Sequence, residues 1–268
     1  MSDDLSARLM FAVEIARAAG ALTLKFFQQD SVQVERKGDD SPVTQADRQA
    51  ESLMRERIAA AFPSDGIIGE EHGEVAGTSG YQWILDPIDG TKSFIAGMPL
   101  YSVLVGVVRN GASLIGVILV PALDECVYAA KGEGAWYSRG GATPLPTKVS
   151  NRKSLADGVF VTSQVDSFGK RLAAEAYERL ERAAYITRTW GDGYGYLLVA
   201  TGRAEAMVDP IMNIWDAAAI QPVIEEAGGT FTDWQGKPCI DGGEGIGTNG
   251  LVLDEVLQIT RDYPATSS

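Results

Sequence analysis

Histidine occurs once in the 268 residues and cysteine twice, and no apolar run approaches the roughly 18 residues needed to cross a bilayer. Cys126 and Cys239 lie far apart with no other Cys or His near them, so neither a zinc cluster nor a redox pair can be built from local spacing. Both are expected to be plain thiols. His72 would have to serve any Ser-His-Asp hydrolase, and no nucleophile-elbow sequence stands beside it, which argues against that acyl chemistry. Positive charge is also scarce: 23 Lys and Arg face 36 Asp and Glu, a net charge of −13. The basic residues are scattered, which disfavours nucleic acid and anionic lipid as partners. A phosphate substrate would be repelled as well unless bound cations reversed the sign locally. The amino terminus has no basic stretch followed by an apolar segment, so a soluble, cytoplasmic protein is expected.

Apolar residues make up 45% of the chain and charged residues 22%, near the averages of a folded globular protein. The length accommodates one large domain or two lobes around a cleft. Helical spacing of Leu5, Leu9, Val13, Ala16, Leu22 and Phe26 predicts a helix over 5–29. The polar stretch from Lys37 through Asp39 and Asp40 to Pro42 reads as a loop or hairpin tip, and a second helix is expected from Thr44 to Phe62, before Pro63. Strand-like runs follow at 67–69, 82–85, 101–108, 113–120 and 126–130, with Asn110-Gly111 as a hairpin turn. Beyond about residue 150 come a strand at 158–162, helices at 168–182 and 194–201, a strand at 204–208, and a helix at 215–227 ended by Gly228-Gly229. Grouped helices, then strands, then mixed elements predict an α+β layered architecture rather than a regular parallel βαβ array.

The densest chemical signal is Trp83-Ile84-Leu85-Asp86-Pro87-Ile88-Asp89-Gly90-Thr91. Proline should stop ladder pairing and glycine should turn the backbone sharply, so Asp86 and Asp89 are expected to emerge together at a strand end. Two close carboxylates need a shared proton or a metal, and an oxygen-rich set suits Mg²⁺ or Mn²⁺. The N–H groups of Gly90 and Thr91, if they open a helix, offer a seat for phosphate. The same residues could be only a turn and a loop cap. Glu70, after the 67–68 run, brings another carboxylate to a strand end, although a Glu-Glu pair is also ordinary solvated surface. His72 reads as an exposed, partnered side chain. Asp47 fits a capping box begun by Thr44, and Asp216 sits in a first helical turn where the dipole alone favours it.

The strings GEE at 69–71, WILDPIDGTKSF at 83–94 and WDAAA at 215–219, in that order, resemble the inositol monophosphatase family of metal-dependent, lithium-sensitive phosphatases. The likeness runs from Lys37 and Asp47 to the Gly228-Gly229 helix end. It implies the layered αβαβα sandwich shared with fructose bisphosphatases. It implies one catalytic domain with two lobes, roughly 1–148 with Glu70, Asp86 and Asp89, and 149–268 with Asp216 and the specificity segment. Two or three Mg²⁺ ions are implied, with Mn²⁺ as an alternative. Glu70, Asp86 and the Ile88 carbonyl would hold one ion; Asp86, Asp89 and Asp216 would hold another. Thr91, hydrogen-bonded to Asp47, matches the position that orients and helps deprotonate the attacking water near Glu70, and a homodimer is expected.

Family members act on inositol phosphates, histidinol phosphate, nucleotide 3′-phosphates or fructose bisphosphate, so the substrate must be read from the variable part of the site. The segment Arg188-Thr189-Trp190-Gly191-Asp192-Gly193-Tyr194-Gly195-Tyr196 is similar to the histidinol-phosphate phosphatase branch. Histidinol phosphate carries an ammonium and an imidazole, which Asp192 and Asp209 could pair, and Arg188 could contact phosphate or order Asp192. A structural alternative stands beside it: Asp192 capping the next helix, with Trp190 and Tyr194 in the core.

Overall fold

The computed structural model describes residues 3–29, 34–36 and 42–264. Helix α1 (Asp3–Thr23) precedes a hairpin of β1 (Val34–Arg36) and β2 (Pro42–Thr44), and β2 runs directly into α2 (Gln45–Ala61). The first helix ends six residues before the sequence pattern does; further turns follow, and Gln28 adopts a left-handed φ of 58°. Of the expected hairpin tip, Lys37, Gly38, Asp39, Asp40 and Ser41 lie outside the described residues. Thr44 is the N-cap of α2, and Asp47 closes the capping box, as its spacing predicts.

An eight-stranded sheet is then built from β3 (Gly66–Gly69), β4 (Gly73–Val75), β5 (Tyr81–Asp89), β6 (Ser102–Arg109), β7 (Ala112–Val120), β8 (Glu125–Ala130), β9 (Ala135–Arg139) and β10 (Leu145–Thr147). Its order is β10-β9-β8-β7-β6-β5-β3-β4, antiparallel throughout except for the parallel β3–β5 pair. Asn110 and Gly111 both take positive φ, 53° and 78°, as a tight β6–β7 hairpin needs. Helix α3 (Thr91–Ile95) lies between β5 and β6.

Pro87 does not end its strand. β5 continues to Asp89 and pairs with β6 on both sides of a register shift between Asp86 and Asp89. A bulge is where a sheet tolerates a residue that has no N–H to give, so proline here displaces the ladder and does not terminate it.

The second half contributes β11 (Val159–Val161), α4 (Val165–Lys170), α5 (Ala174–Ala183), β12 (Ile186–Arg188), α6 (Gly193–Ala200), β13 (Ala206–Asp209), α7 (Ile214–Glu226), β14 (Thr230–Thr232), β15 (Gly245–Thr248) and α8 (Leu253–Thr260). Its five strands form a mixed sheet in the order β12-β11-β13-β15-β14. The single helix expected over 168–182 is two. Leu172 sits at φ 60°, with its N–H on the Gly169 carbonyl (3.0 Å) and the Ala173 N–H on the Phe168 carbonyl (2.7 Å). That is a Schellman ending, and leucine in the position usually held by glycine hid it from the sequence pattern.

Helices α1 and α2 cover one face of the large sheet, where Leu9, Ile15, Met54 and Ile58 pack with Trp83, Val105 and Val117. Helices α6 and α7 fill the space between the two sheets, and α4, α5 and α8 close the outer face of the small one around Phe160, Phe168, Leu180 and Trp234. The result is the α+β sandwich of αβαβα layers expected above. Helix α7 approaches the large sheet closely because both sides are stripped: a Cβ on Gly116 would lie 1.9 Å from the Ala219 carbonyl oxygen, and one on Gly106 would lie 2.9 Å from Ala218. Among the described residues no helix is long and apolar enough to cross a membrane.

Candidate active site

The parallel pairing of β3 with β5 brings the first acids together. Gly69 is in register with Leu85, and the Glu70 N–H donates to the Leu85 carbonyl at 3.2 Å, so Glu70 leaves its strand beside Asp86. On a regular strand Asp86 and Asp89, three residues apart, would face opposite sides. The Pro87 bulge removes that alternation. Helix α7 then adds Asp216 from its first turn, held there by the Asn213 N–H at 2.7 Å in a second capping box. One carboxylate oxygen from each of Asp86, Asp89 and Asp216 falls within 4.8 Å of the others.

Each acid is anchored from behind. The Asp86 Oδ1 accepts the Ile88 N–H at 3.0 Å. Asp89 accepts the Ser102 hydroxyl at 2.6 Å and the Gly193 N–H. The dipole explanation of Asp216 holds as far as it goes, but it does not account for the company the side chain keeps. Burial pushes the Asp86 and Asp89 carboxyls well above the usual range, and the charges of Glu70 and Asp216 add to the effect on Asp86, those of Asp192 and Asp216 to that on Asp89. Asp216 is raised to about 7, again by burial first.

The donor set passes a simple test for a divalent cation. It consists of hard carboxylate oxygens, crowded, largely buried and mutually repelling, which a proton or an oxygen-seeking ion must neutralise. In the cation-free protein these carboxyls keep protons that the unfolded chain releases near its ordinary pKa of about 3.9, so the native state binds more protons and unfolding free energy falls as pH rises from about 4 to 7. Cation binding strengthens over the same interval because it displaces those protons. Added Mg²⁺ should therefore raise the melting temperature more at pH 8 than at pH 6, measured against chelator controls; equal shifts at both would contradict the linkage.

Thr91 and Asp47 meet at the edge of this cluster. The Thr91 hydroxyl lies 3.1 Å from the Ile88 carbonyl oxygen and 3.4 Å from Asp47 Oδ1, while the Thr44 hydroxyl and N–H both donate to Asp47 Oδ2. Burial raises the Asp47 pKa, the Thr44 hydrogen bonds oppose the rise, and the Glu70 charge adds a smaller upward push.

Beside the acids opens a cavity of about 390 Å³, lined by Glu70, Asp89, Gly90, Thr91, Asp192, Asp209 and Asp216 among others. Asp86, Ile88 and Asp47 are buried and not on its wall. Gly90 starts α3 at φ 82°, and a Cβ there would lie 2.5 Å from Asp192 Oδ2. Asp192 does precede α6, but its side chain makes no capping hydrogen bond; it lies over Gly90 instead. Tyr194 is half-buried against the core and Trp190 is 43% exposed. Arg188 is not on the cavity wall: its guanidinium lies 5.8 Å from the Trp190 ring centroid and donates to the Thr187 carbonyl. His72 is exposed and partnered by Ser52 and the Arg48 carbonyl, as expected.

Several lining residues carried no sequence signal. Ser163 donates its hydroxyl to Asp209 at 2.7 Å and accepts the Asp192 N–H at 2.9 Å, joining two acids 17 positions apart. Burial raises Asp209 to about 7, and raises Asp192 against the Ser163 hydrogen bond and the nearby Lys92 charge. Lys92 and Lys170 are the cationic side chains on the wall, and the Tyr196 hydroxyl is buried beside Asp209. A lone Ser after a strand or a Lys in a helix looks like any other, so only their placement reveals them.

The inositol monophosphatase family model matches residues 4–264. This chain belongs to the inositol monophosphatase family. It is 44% identical over 238 residues to the histidinol-phosphatase of Chlorobaculum parvum, covering 89% of this chain and 90% of that one. It is 37% identical over 249 residues to the histidinol-phosphatase of Mycobacterium tuberculosis, covering 93% and 96%. Among solved structures, the extragenic suppressor protein suhB of Bartonella henselae superimposes with a TM-score of 0.86 at 28% identity, over 95% of this chain and 98% of that one. The inositol monophosphatase family is metal-dependent, and membership makes this protein a hydrolase of phosphoric monoesters with an acidic cluster able to bind a metal.

Proposed function

We propose that this inositol monophosphatase relative hydrolyses histidinol phosphate to histidinol and phosphate, using Mg²⁺ held by Glu70, Asp86, Asp89, Asp216 and the Ile88 carbonyl. The observation that carries the substrate is the second pair of acids: Asp192 and Asp209, tied together by Ser163, line the cavity next to the metal cluster. Both carboxyls are held above their usual pKa, so a substrate ammonium or imidazolium that pairs with them recovers part of the cost of burying their charge. The names of the relatives in C. parvum and M. tuberculosis point the same way.

When bound, the divalent ions neutralise the phosphoryl oxygens and supply a nucleophile near neutral pH. The chain's own groups do the rest. Gly90 and Thr91 present backbone N–H groups to the phosphate. The Thr91 hydroxyl orients the attacking water, and Asp47, whose raised pKa makes it a better base than an exposed aspartate, draws the proton through Thr91. The reading takes 1–268 as one catalytic domain with two lobes, and extends to a cytoplasmic homodimer by family resemblance.

Phosphate release with Mg²⁺ from histidinol phosphate, inositol 1-phosphate and a nucleotide monophosphate, compared by kcat/KM, tests the substrate. Histidinol phosphate is expected to lead by at least about 100-fold, the discrimination of two lost charged contacts. Equal rates on inositol 1-phosphate would make Asp192 and Asp209 structural.

A further inference from the structure

Glu51 lies one helical turn after Asp47 on α2 and is fully buried. Its carboxylate accepts the Glu71 N–H at 2.7 Å on one oxygen and the His72 N–H at 3.1 Å on the other, where Arg55 Nε also donates at 2.7 Å. These two amides belong to the residues that follow Glu70. On the other side of Glu70, Gly69 lies against the same carboxylate: a Cβ there would fall 2.1 Å from Glu51 Oε1. Glu51 thus fills the inside of the turn that carries Glu70. Arg55 additionally donates to the Gly73 carbonyl and fastens the far end.

A buried carboxylate is costly unless each oxygen is paired, and charge-assisted bonds to backbone N–H groups are stronger than neutral ones. The arrangement therefore ties the turn between β3 and β4 to α2, in a stretch where residues 72–78 are all exposed and no core packing holds it from that side. Asp47, which meets Thr91, sits on the same helix one turn earlier. We propose that Glu51 is the positioning residue for Glu70: it locks residues 69–72 to α2 and so sets the Glu70 carboxylate relative to the Asp47–Thr91 pair. Glu51 is not on the cavity wall. The inference rests on the proposed role of Glu70 as a cation ligand.

The test compares Glu51→Gln with Glu70→Gln as the benchmark and Met54→Ala, a buried apolar neighbour on α2 in the core beneath the large sheet, as the control for lost stability. Mn²⁺ binding is titrated by electron paramagnetic resonance without substrate, together with the Mg²⁺ concentration for half-maximal activity and kcat at saturating Mg²⁺. Glu51→Gln should weaken Mn²⁺ binding roughly 10- to 100-fold, the range for partners that orient a ligand. It should recover most of its kcat at saturating Mg²⁺. Glu70→Gln should lose the same binding event, and Met54→Ala should keep wild-type affinity. A folded Glu51→Gln protein with wild-type Mn²⁺ affinity, or a Met54→Ala protein weakened as much, would overturn the inference. Should Glu51→Gln not fold, Gly69→Ala presses on the same carboxylate and must show the same weakening; wild-type affinity there overturns it equally. Normal Mn²⁺ binding by Glu70→Gln would bring down the ligand assignment itself, and the inference with it.

Discussion

Asp89→Asn is expected to lower kcat/KM by about 10³-fold or more, since a transition-state charge interaction worth several kcal/mol is removed. Asparagine is nearly isosteric, and its amide oxygen can still accept the Ser102 hydroxyl and the Gly193 N–H that hold the native side chain. What it cannot supply is the anionic oxygen that completes the cluster with Asp86 and Asp216. The fold should not suffer. Asp89 is buried among like charges that raise its pKa, so a neutral group relieves repulsion, and the cation-free melting temperature should be equal to or above that of the wild type. The Mg²⁺-induced rise should shrink at the same time. Turnover within tenfold of wild type would sink the assignment of Asp89 as a metal ligand.

Gly193→Ala is expected to be nearly as damaging, from a residue with no chemistry of its own. A Cβ there would lie 2.4 Å from the Ser102 hydroxyl oxygen, 2.8 Å from Asp89 Oδ2 and 2.9 Å from a Leu104 methyl. Two of those three atoms are the anchor of Asp89 and Asp89 itself. Either α6 moves away from β6, costing about 1–3 kcal/mol of packing, or Asp89 is pushed out of the cluster. A displacement of about 1 Å at a reacting centre costs on the order of 100-fold in rate. Steady-state kinetics across Mg²⁺ concentrations should show both a lower kcat and a higher Mg²⁺ requirement. Gly169→Ala, where an added Cβ meets nothing within 4 Å, is the matching control. Wild-type kinetics for Gly193→Ala would mean that α6 yields freely and that its N–H does not hold Asp89.

How legible each part was follows from the range of the interactions that make it. The α2 cap, the Asn110-Gly111 hairpin and the Gly228 helix end all depend on a few adjacent residues, and all stand where the sequence places them. Leu172 shows the limit of that method. It occupies a glycine conformation because flanking residues Phe168 and Ala173 are buried in the outer core, so packing overrides local preference and splits one expected helix in two. Pro87 shows another limit: whether a proline ends a strand or bulges it depends on β6 running on past it to Ser102, and it does, although β3 stops level with Leu85. The short strands β4, β9 and β10 have too few residues for their alternation to stand out.

The same division runs through the site. Residue type and short spacing identified Asp86, Asp89, Gly90 and Thr91 as chemistry, because two acids flanking a proline and followed by Gly-Thr constrain one another locally. Glu70, Asp47 and Asp216 each had an adequate local explanation, and family likeness rather than spacing singled them out. Their convergence is a tertiary fact: the parallel β3–β5 register brings Glu70 to Asp86, and the glycine-lined approach of α7 brings Asp216 across more than a hundred residues. Ser163 and Glu51 had no signal at all, and Gly193 stood only as one residue of the 188–196 segment, since a hydroxyl, a buried acid and a missing side chain acquire their roles only from what is packed against them. Local chemistry could be written in consecutive residues; distance between charges, and therefore their pKa values and their capacity to hold a cation, could be set only by folding.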